Sequence, residues 1–417
     1  MSIAGKIFTA VLASACVLSL TPLSTAQTVE LSDRYSTSFK PPNQPAKSTL
    51  NGFDLRSSLR LSLGYDDNIY QTQRNERNSA FLKANLFSSA RKNGDFYKTY
   101  TSLLGSTRHY PTNDEADEIY FRAFNFTKVD LGNDAQVELV TKYVYDEEAR
   151  EDDRAPLNFV QDVADQFISS KIYLSRVFGE YGLTVSGGIQ RELNENTFLN
   201  NGSFFERSDA NHNLLEVAAR ASRKYSKEFE PFIELGYVNW IFDDSLDRNG
   251  IERGSEGFHA AIGSYFEIDD VKGEFAIGYR NHRFPAQQFE DLEALTFDAW
   301  IDWKLGENTS IILVAGTSFE EETVSSRAGT LTRSAEAGVY HYLTEMFRIH
   351  ASSRYEFEES VSGPFDDYSL THKFGMDYEL QPGVVGSLEY KYKEFDDGAE
   401  ANSYTSNQIV ASIKFVR

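Results

Sequence analysis

Cysteine is almost missing: Cys16 is the single thiol in 417 residues, which excludes an internal disulfide framework and any multi-cysteine metal site. Proline is scarce, at 10 residues. No run of ~20 consecutive apolar residues occurs beyond the first 30, and a membrane-crossing helix needs about that many. Basic charge is in deficit, with 41 Lys and Arg against 63 Asp and Glu and a net charge of -22. A general nucleic-acid binder needs a basic surface to meet phosphate, so that class is excluded. The chain also lacks His-Glu-x-x-His, Gly-x-Ser-x-Gly, P-loop and zinc-ligand spacings, the short motifs that most often carry catalysis or cofactor binding. The expectation is a non-enzyme without cofactor or metal. Its seven His are scattered at 109, 212, 259, 282, 341, 350 and 372. One catalytic grouping remains to be tested: His341, His350 and His372 fall on neighbouring expected strands, within reach of Ser352 or Ser369.

The first 26 residues have the order of an export signal. Lys6 supplies a positive start, Ile7 to Leu20 an apolar stretch, and Ser24-Thr25-Ala26 a small-residue cleavage site before Gln27. Cleavage there would remove Cys16. That thiol follows Ala13-Ser14-Ala15 in a faint likeness of a lipoprotein acceptor site, but the apolar stretch runs on past it. Residues 27–52 are polar, carry Pro41-Pro42 and Pro45, and read as a mobile N-terminal extension facing the periplasm. Residues 53–417 form the third segment.

From Phe53 onward alternation takes over. Phe53, Leu55, Leu59, Leu61, Leu63 and Tyr65 fall on one parity, and Asp54, Arg56, Ser58, Arg60 and Ser62 on the other. The stretch Gly386-Ser-Leu-Glu-Tyr-Lys-Tyr-Lys-Glu-Phe395 does the same near the end. Period 2 belongs to a strand with one oily and one wet face. Repeating the exercise yields about eighteen strands, with sixteen as the alternative if two weak ones are misread. The region Phe96 to Leu131 is the doubtful one, since Tyr120, Phe124 and Phe126 oppose Phe121 and Ala123 in parity. Short connections such as Lys92-Asn-Gly-Asp95, Leu131-Gly-Asn-Asp134 and Gln381-Pro-Gly383 alternate with long ones such as 146–165 and 193–210. The short ones carry the residues that tight hairpins require. This asymmetry, with an apolar parity and an export signal, predicts an all-β fold: a single transmembrane antiparallel β-barrel with short periplasmic turns and long extracellular loops, in the outer membrane of a Gram-negative bacterium. A soluble sandwich or propeller would show shorter strands or a blade repeat, and neither is present.

A barrel of sixteen to eighteen strands is too wide for its own side chains to fill, which points to transport. The inner parity would then hold Arg56, Arg60, Arg348, Arg354, Glu356, Lys373, Asp377, Glu389, Lys391 and Lys393 as candidate lumen-lining residues. Their mixed signs suit a hydrated polar pore; cross-strand pairing that merely solvates the wall is the plainer account of any one of them. An acidic extracellular loop is expected at Glu147, Glu148, Glu151, Asp152 and Asp153. Its spacing fits no calcium-loop motif, and a solvated loop is the simpler reading. Asp66-Asp67-Asn68 reads as Asx-turn chemistry ahead of a cation site. Tyr65, Phe96, Tyr97, Trp240 and Trp303 suit interfacial girdles, with Trp240 alone at a parity suited to stacking on sugar.

Leu61-Ser-Leu-Gly-Tyr-Asp-Asp-Asn-Ile-Tyr70 and Tyr404-Thr-Ser-Asn-Gln-Ile-Val-Ala-Ser-Ile-Lys-Phe415 resemble a family of outer-membrane β-barrel porins associated with exopolysaccharide and capsule gene clusters. Gly278-Tyr-Arg-Asn281, Asp298-Ala-Trp-Ile-Asp-Trp303, Glu320-Glu-Glu-Thr323, Tyr378-Glu-Leu380 and Tyr390-Lys-Tyr392 extend the likeness over most of the barrel segment. The resemblance implies a channel taking part in export of an exopolysaccharide or capsular polysaccharide. Its partners would be outer-membrane lipid, periplasmic polysaccharide-export components and the polysaccharide itself. It brings no catalytic residue. A general diffusion porin for small solutes and a non-transport surface barrel stay open beside it. One departure is the end Lys414-Phe-Val-Arg417: barrels of this kind usually close on a terminal aromatic, and here Phe415 is third from last.

Overall fold

The computed structural model describes residues 48–73, 76–113, 116–148, 163–198, 202–322, 327–363, 366–398 and 403–417. The signal expected over 1–26 and most of the extension expected over 27–52 lie outside that set. The chain folds into a closed antiparallel barrel of 18 strands. In chain order these are β1 (Phe53–Asp66), β2 (Ser79–Asn93), β3 (Tyr97–His109), β4 (Glu118–Gly132), β5 (Ala135–Glu148) and β6 (Val163–Phe178). Then come β7 (Tyr181–Asn194), β8 (His212–Arg223), β9 (Phe229–Phe242), β10 (Ser255–Ile268), β11 (Val271–Arg283) and β12 (Leu292–Leu305). The last six are β13 (Thr309–Glu321), β14 (Gly329–Thr344), β15 (Phe347–Val361), β16 (Asp367–Gln381), β17 (Val384–Asp396) and β18 (Tyr404–Val416).

Each strand pairs with its chain neighbour, and β18 returns to β1 with Ser58 opposite Val416 and Asp66 opposite Gln408. Closure removes the sheet edges, the condition for strands to sit in lipid with every backbone group satisfied. β1 begins below the end of β18, and a short strand, Ser48–Leu50, hairpins back to pair with Phe53–Leu55 and fill that place. Strands run from 12 to 16 residues, longer than the ~9 to 11 needed to cross a bilayer, so their ends project beyond it.

The apolar parity faces outward. Leu61, Leu63 and Tyr65 are exposed on β1, and Leu235, Ile262, Ile277 and Leu295 (72%) on later strands. Water would penalise such a belt by about 25 cal/mol per Å², and a continuous exposed apolar band of this kind marks a lipid surface. Leu388 and Tyr390 are exposed while Glu389 lies on the opposite parity, beside Gly375 and Val410. The hairpins at the other end are tight. At the β4–β5 turn Asn133 (φ 55°) and Asp134 (φ 57°) both hold positive φ, the geometry a two-residue hairpin demands.

The parity of β4 resolves. Ile119 and Phe121 are exposed outward, and Phe124 lies inside, opposite Lys142 and edge-on to Tyr100 at 6.0 Å. Aromatic rings on both faces are what blur that stretch when it is read as a string.

Candidate functional site: inner wall and outer mouth

The inner parity is a polar wall organised across strands. On β6 to β11, Lys171 Nζ reaches Glu216 at 2.9 Å, and Arg220 binds Glu234 at 2.8 Å and Glu274 at 3.1 Å. Lys171 crosses over Gly188, which stands between it and Glu216 in register. His259 lies flat on Gly236 and reaches Glu234 at 3.4 Å; a Cβ at Gly236 would meet the imidazole at 2.0 Å. Glycine on the inner parity therefore makes room for a neighbour's ring. On β15 to β17, Arg348 binds Asp377 at 2.6 Å, Ser387 donates to Asp377 at 2.7 Å, and His350 lies between Asp377 (3.4 Å) and Glu389 (3.7 Å). Arg354 binds Glu356 at 2.6 Å and approaches Glu336 at 4.0 Å. Lys393 donates to Gln71 at 2.7 Å, and Lys373 and Lys391 face each other across β16 and β17. Arg56 and Arg60 share the inner parity of β1.

The outer mouth has a feature that parity conceals. The β12–β13 ladder stops at Asp298 opposite Gly316, although β12 extends to Leu292 and β13 to Glu321. In place of the next rung, the Phe297 amide donates to Thr317 Oγ1 at 3.2 Å. Beyond this point the outer end of β13 passes inside β12. Phe319 has the parity of lipid-facing Leu313, yet it is buried and its ring meets His282 at 4.5 Å, Phe284 at 6.0 Å and Trp240 at 6.3 Å. It packs with Leu292 and Ala294 from the inner face of β12, and with Ala328, Leu331 and Val361. The β13–β14 hairpin is thus folded into the mouth, its outward face pressed on the inner wall of β9 to β12. Trp240, the sugar-stacking candidate, is covered by this contact and by His212.

One guanidinium fastens the fold-in. Arg253 Nε donates to Asp247 at 2.8 Å, its Nη1 to the Arg327 carbonyl at 2.7 Å, and it lies over Phe289 at 4.9 Å. Three outer connections, after β9, β11 and β13, meet there. The Gly254 amide adds a bond to Glu321 at 2.6 Å; Gly254 has φ 104°, a backbone state that favours glycine. Burial pushes the Asp247 carboxyl up, but the Ile251 amide, the Arg253 guanidinium and the Asn249 amide outweigh it and hold it below the ordinary carboxylate range.

The Asp66-Asp67-Asn68 stretch closes the barrel seam. Asp67 accepts from the Asn407 amide at 2.6 Å and its Nδ2 at 2.8 Å, and Asp66 accepts from Ser406 and Gln408 at 3.0 Å. Asn68 bonds the Thr72 and Thr405 carbonyls. The stretches Leu61–Tyr70 and Tyr404–Phe415 are therefore spatial neighbours. The carboxylate oxygens of this turn are occupied by donors, in the manner of an Asx turn extended to a second strand.

The catalytic grouping does not form. His350 lies on the inner parity, while His372 stacks on Tyr392 on the outer one and His341 bonds Thr309 at 2.8 Å. Glu147 receives the Tyr145 hydroxyl at 3.1 Å; Glu148 ends β5, and Glu151, Asp152 and Asp153 lie outside the described residues. Sequence reasoning passed over Arg253, Asp247 and Phe319. The Asp247-Arg-Asn-Gly250 turn was a visible signal, whereas nothing local marks Phe319 as inward.

A family model described as "Putative beta-barrel porin 2" matches residues 41–417. No curated protein matches the sequence. Among solved structures, the siderophore receptor PirA from Acinetobacter baumannii aligns at 7% identity and TM-score 0.46, covering 87% of this chain and 80% of that one. The outer membrane protein opdK from Pseudomonas aeruginosa aligns at 10% identity and TM-score 0.44, covering 87% and 99%.

Proposed function

We propose, because this chain belongs to the Putative beta-barrel porin 2 family, that it is a Gram-negative outer-membrane channel through which an exopolysaccharide or capsular polysaccharide leaves the cell. The supporting observation is the inner wall. Charged and hydroxyl side chains line it across many strands, several of them lying over inner-parity glycines such as Gly188, Gly236 and Gly375. A hydrated sugar chain moving along a wall needs many weak polar contacts and no deep apolar trap. The same wall would also pass small solutes, so a general diffusion porin is the competing outcome.

A clean deletion strain, compared with the same strain carrying the gene back, separates the two. Loss of surface and secreted polysaccharide with small-solute uptake intact, restored on complementation, is the expected result. Unchanged polymer with impaired uptake makes the protein a diffusion porin. Periplasmic export components would be the partners, recovered by cross-linking through residues near the short turns.

A further inference from the structure

The inner wall spends its positive charge differently on its two sides. On β6 to β11 the named cations Lys171 and Arg220 are each bound to carboxylates. About half a turn away, on β16 to β1, like charges face each other: Lys373 stands directly opposite Lys391, and Arg60 directly opposite Lys414. Like charges in direct cross-strand register destabilise a sheet, and one carboxylate in each pair would have removed the repulsion. Among the described residues Arg60, Lys373 and Lys414 make no ion pair. The acids nearby do not balance them. Glu389 is the acid on which both Lys373 and Arg60 act, and it is already approached by His350. Asp377 acts on Lys414 but is held by Arg348.

We propose that this arc is an anion-binding track, and that the material passing through the barrel is an acidic, carboxylate-bearing glycan rather than a neutral one. The inference rests on the transport reading above and names the substrate class of the same wall. It also accounts for an otherwise costly arrangement. In a chain of net charge -22 a polyanion is repelled by the surface as a whole, and a local field of opposite sign is what lets it enter. Arg60 and Lys414 present a guanidinium and an ammonium group to one carboxylate, a stronger hold than a single cation gives, and Lys373 adds a further cation on the same wall. The pairs sit at two different places along the β16 to β1 wall, so a chain with charge on successive sugars would be passed from one to the next.

The test uses the full-length protein in planar bilayers. Under a KCl gradient the reversal potential should show a chloride preference. Short oligogalacturonates should block the current, and maltodextrins of equal length should block far less. Replacing Arg60→Gln with Lys414→Gln, or Lys373→Gln alone, should weaken the acidic block by about tenfold, a change of about 1.4 kcal/mol, whereas Lys373→Arg keeps it. Equal block by acidic and neutral oligomers, or block unaffected by the variants, overturns the proposal. Binding of labelled oligogalacturonate to detergent-solubilised protein, with migration of the unheated barrel on gels as the folding control, gives the same comparison without relying on current. Acidic-glycan binding with polymer secretion intact in the deletion strain would remove the export function and leave the anion track standing. Lost secretion with no acidic preference would do the reverse.

Discussion

Two junctions of the barrel have to end their ladders early, and they do so in opposite ways. At β18–β1 the last ladder pair is Asp66 opposite Gln408, and one further backbone bond, from the Asp67 amide to the Asn407 carbonyl at 3.1 Å, together with the Asp67 carboxylate carries the closure onward. At β12–β13 pairing ends at Asp298 opposite Gly316, and the remaining strand ends separate, one passing inside the other. The first solution is polar and keeps the wall circular. The second is apolar and spends lumen space, burying Phe319, Leu331 and Ala328 against Leu292 and Ala294. Unpaired backbone at a sheet end must find partners; the difference lies in whether those partners narrow the mouth. At the seam they do not, and at the fold-in they do.

The sharpest way to break that contrast is Phe319→Ala. Truncating a buried phenylalanine costs about 3 to 5 kcal/mol, here drawn from the contacts that press the hairpin onto the wall. Single-channel conductance should rise and larger sugars should enter in liposome-swelling assays, while barrel closure persists. Unchanged conductance would mean that the hairpin does not set the width. Next in size is Arg253→Ala. Its side chain and that of Asp247 are almost wholly buried (1% and 0% exposed), and removing one partner of such a pair costs about 3 kcal/mol or more. Limited proteolysis should then cut the connection between β9 and β10, which the parent protein protects.

Acid should act on the same clamp more gently. The Asp247 carboxyl is held below its ordinary value in the folded state. Its contribution is present in full above the unfolded value of about 3.9 and is lost as pH falls through the folded one. Protease sensitivity of the outer connections should therefore rise below about pH 4. Asp247→Asn should show raised sensitivity at pH 7 already and a weaker response to acid. An identical acid response in that variant would place the titrating group elsewhere.

These junctions also show how far the string could be read. Lipid on one side and water on the other impose period 2, so Leu59, Leu61, Leu63 and Tyr65 announce β1, and the strand limits follow to within a few residues. The β13 end defeats the same logic. Phe319 continues the parity of lipid-facing Leu313, but the apolar surface it meets is Leu292 and Ala294 on another strand, and a period records apolar contact without recording with what; the polar Thr317 and Glu321 on the same parity accept the Phe297 and Gly254 amides. The wall charges were legible as a set, since Arg348, Asp377 and Glu389 share one parity; their pairing was not, because His350 reaches Glu389 only across Gly375. At the seam the Asp-Asp-Asn turn was visible, while its partner Asn407, 340 residues away, was not.

The smallest expected effect sharpens the comparison from the seam side. Asp67→Ala removes both bonds of the contact at the end of this ladder, whereas Asn407→Ala removes only the Nδ2 bond and leaves the backbone amide of residue 407 as a donor. A hydrogen bond to a charged group contributes about 1.5 to 3 kcal/mol, and partial solvent access brings this pair to the lower end. Each single variant should lower the temperature at which the folded barrel converts to its unfolded gel form, Asp67→Ala by more, and the double variant should fall by less than the sum, because both remove the bond between Nδ2 and the carboxylate. Conductance should stay at the parent level in all three. A seam variant that opened the channel would show that the polar closure also shapes the lumen, and the two junctions would then differ in chemistry alone and no longer in consequence.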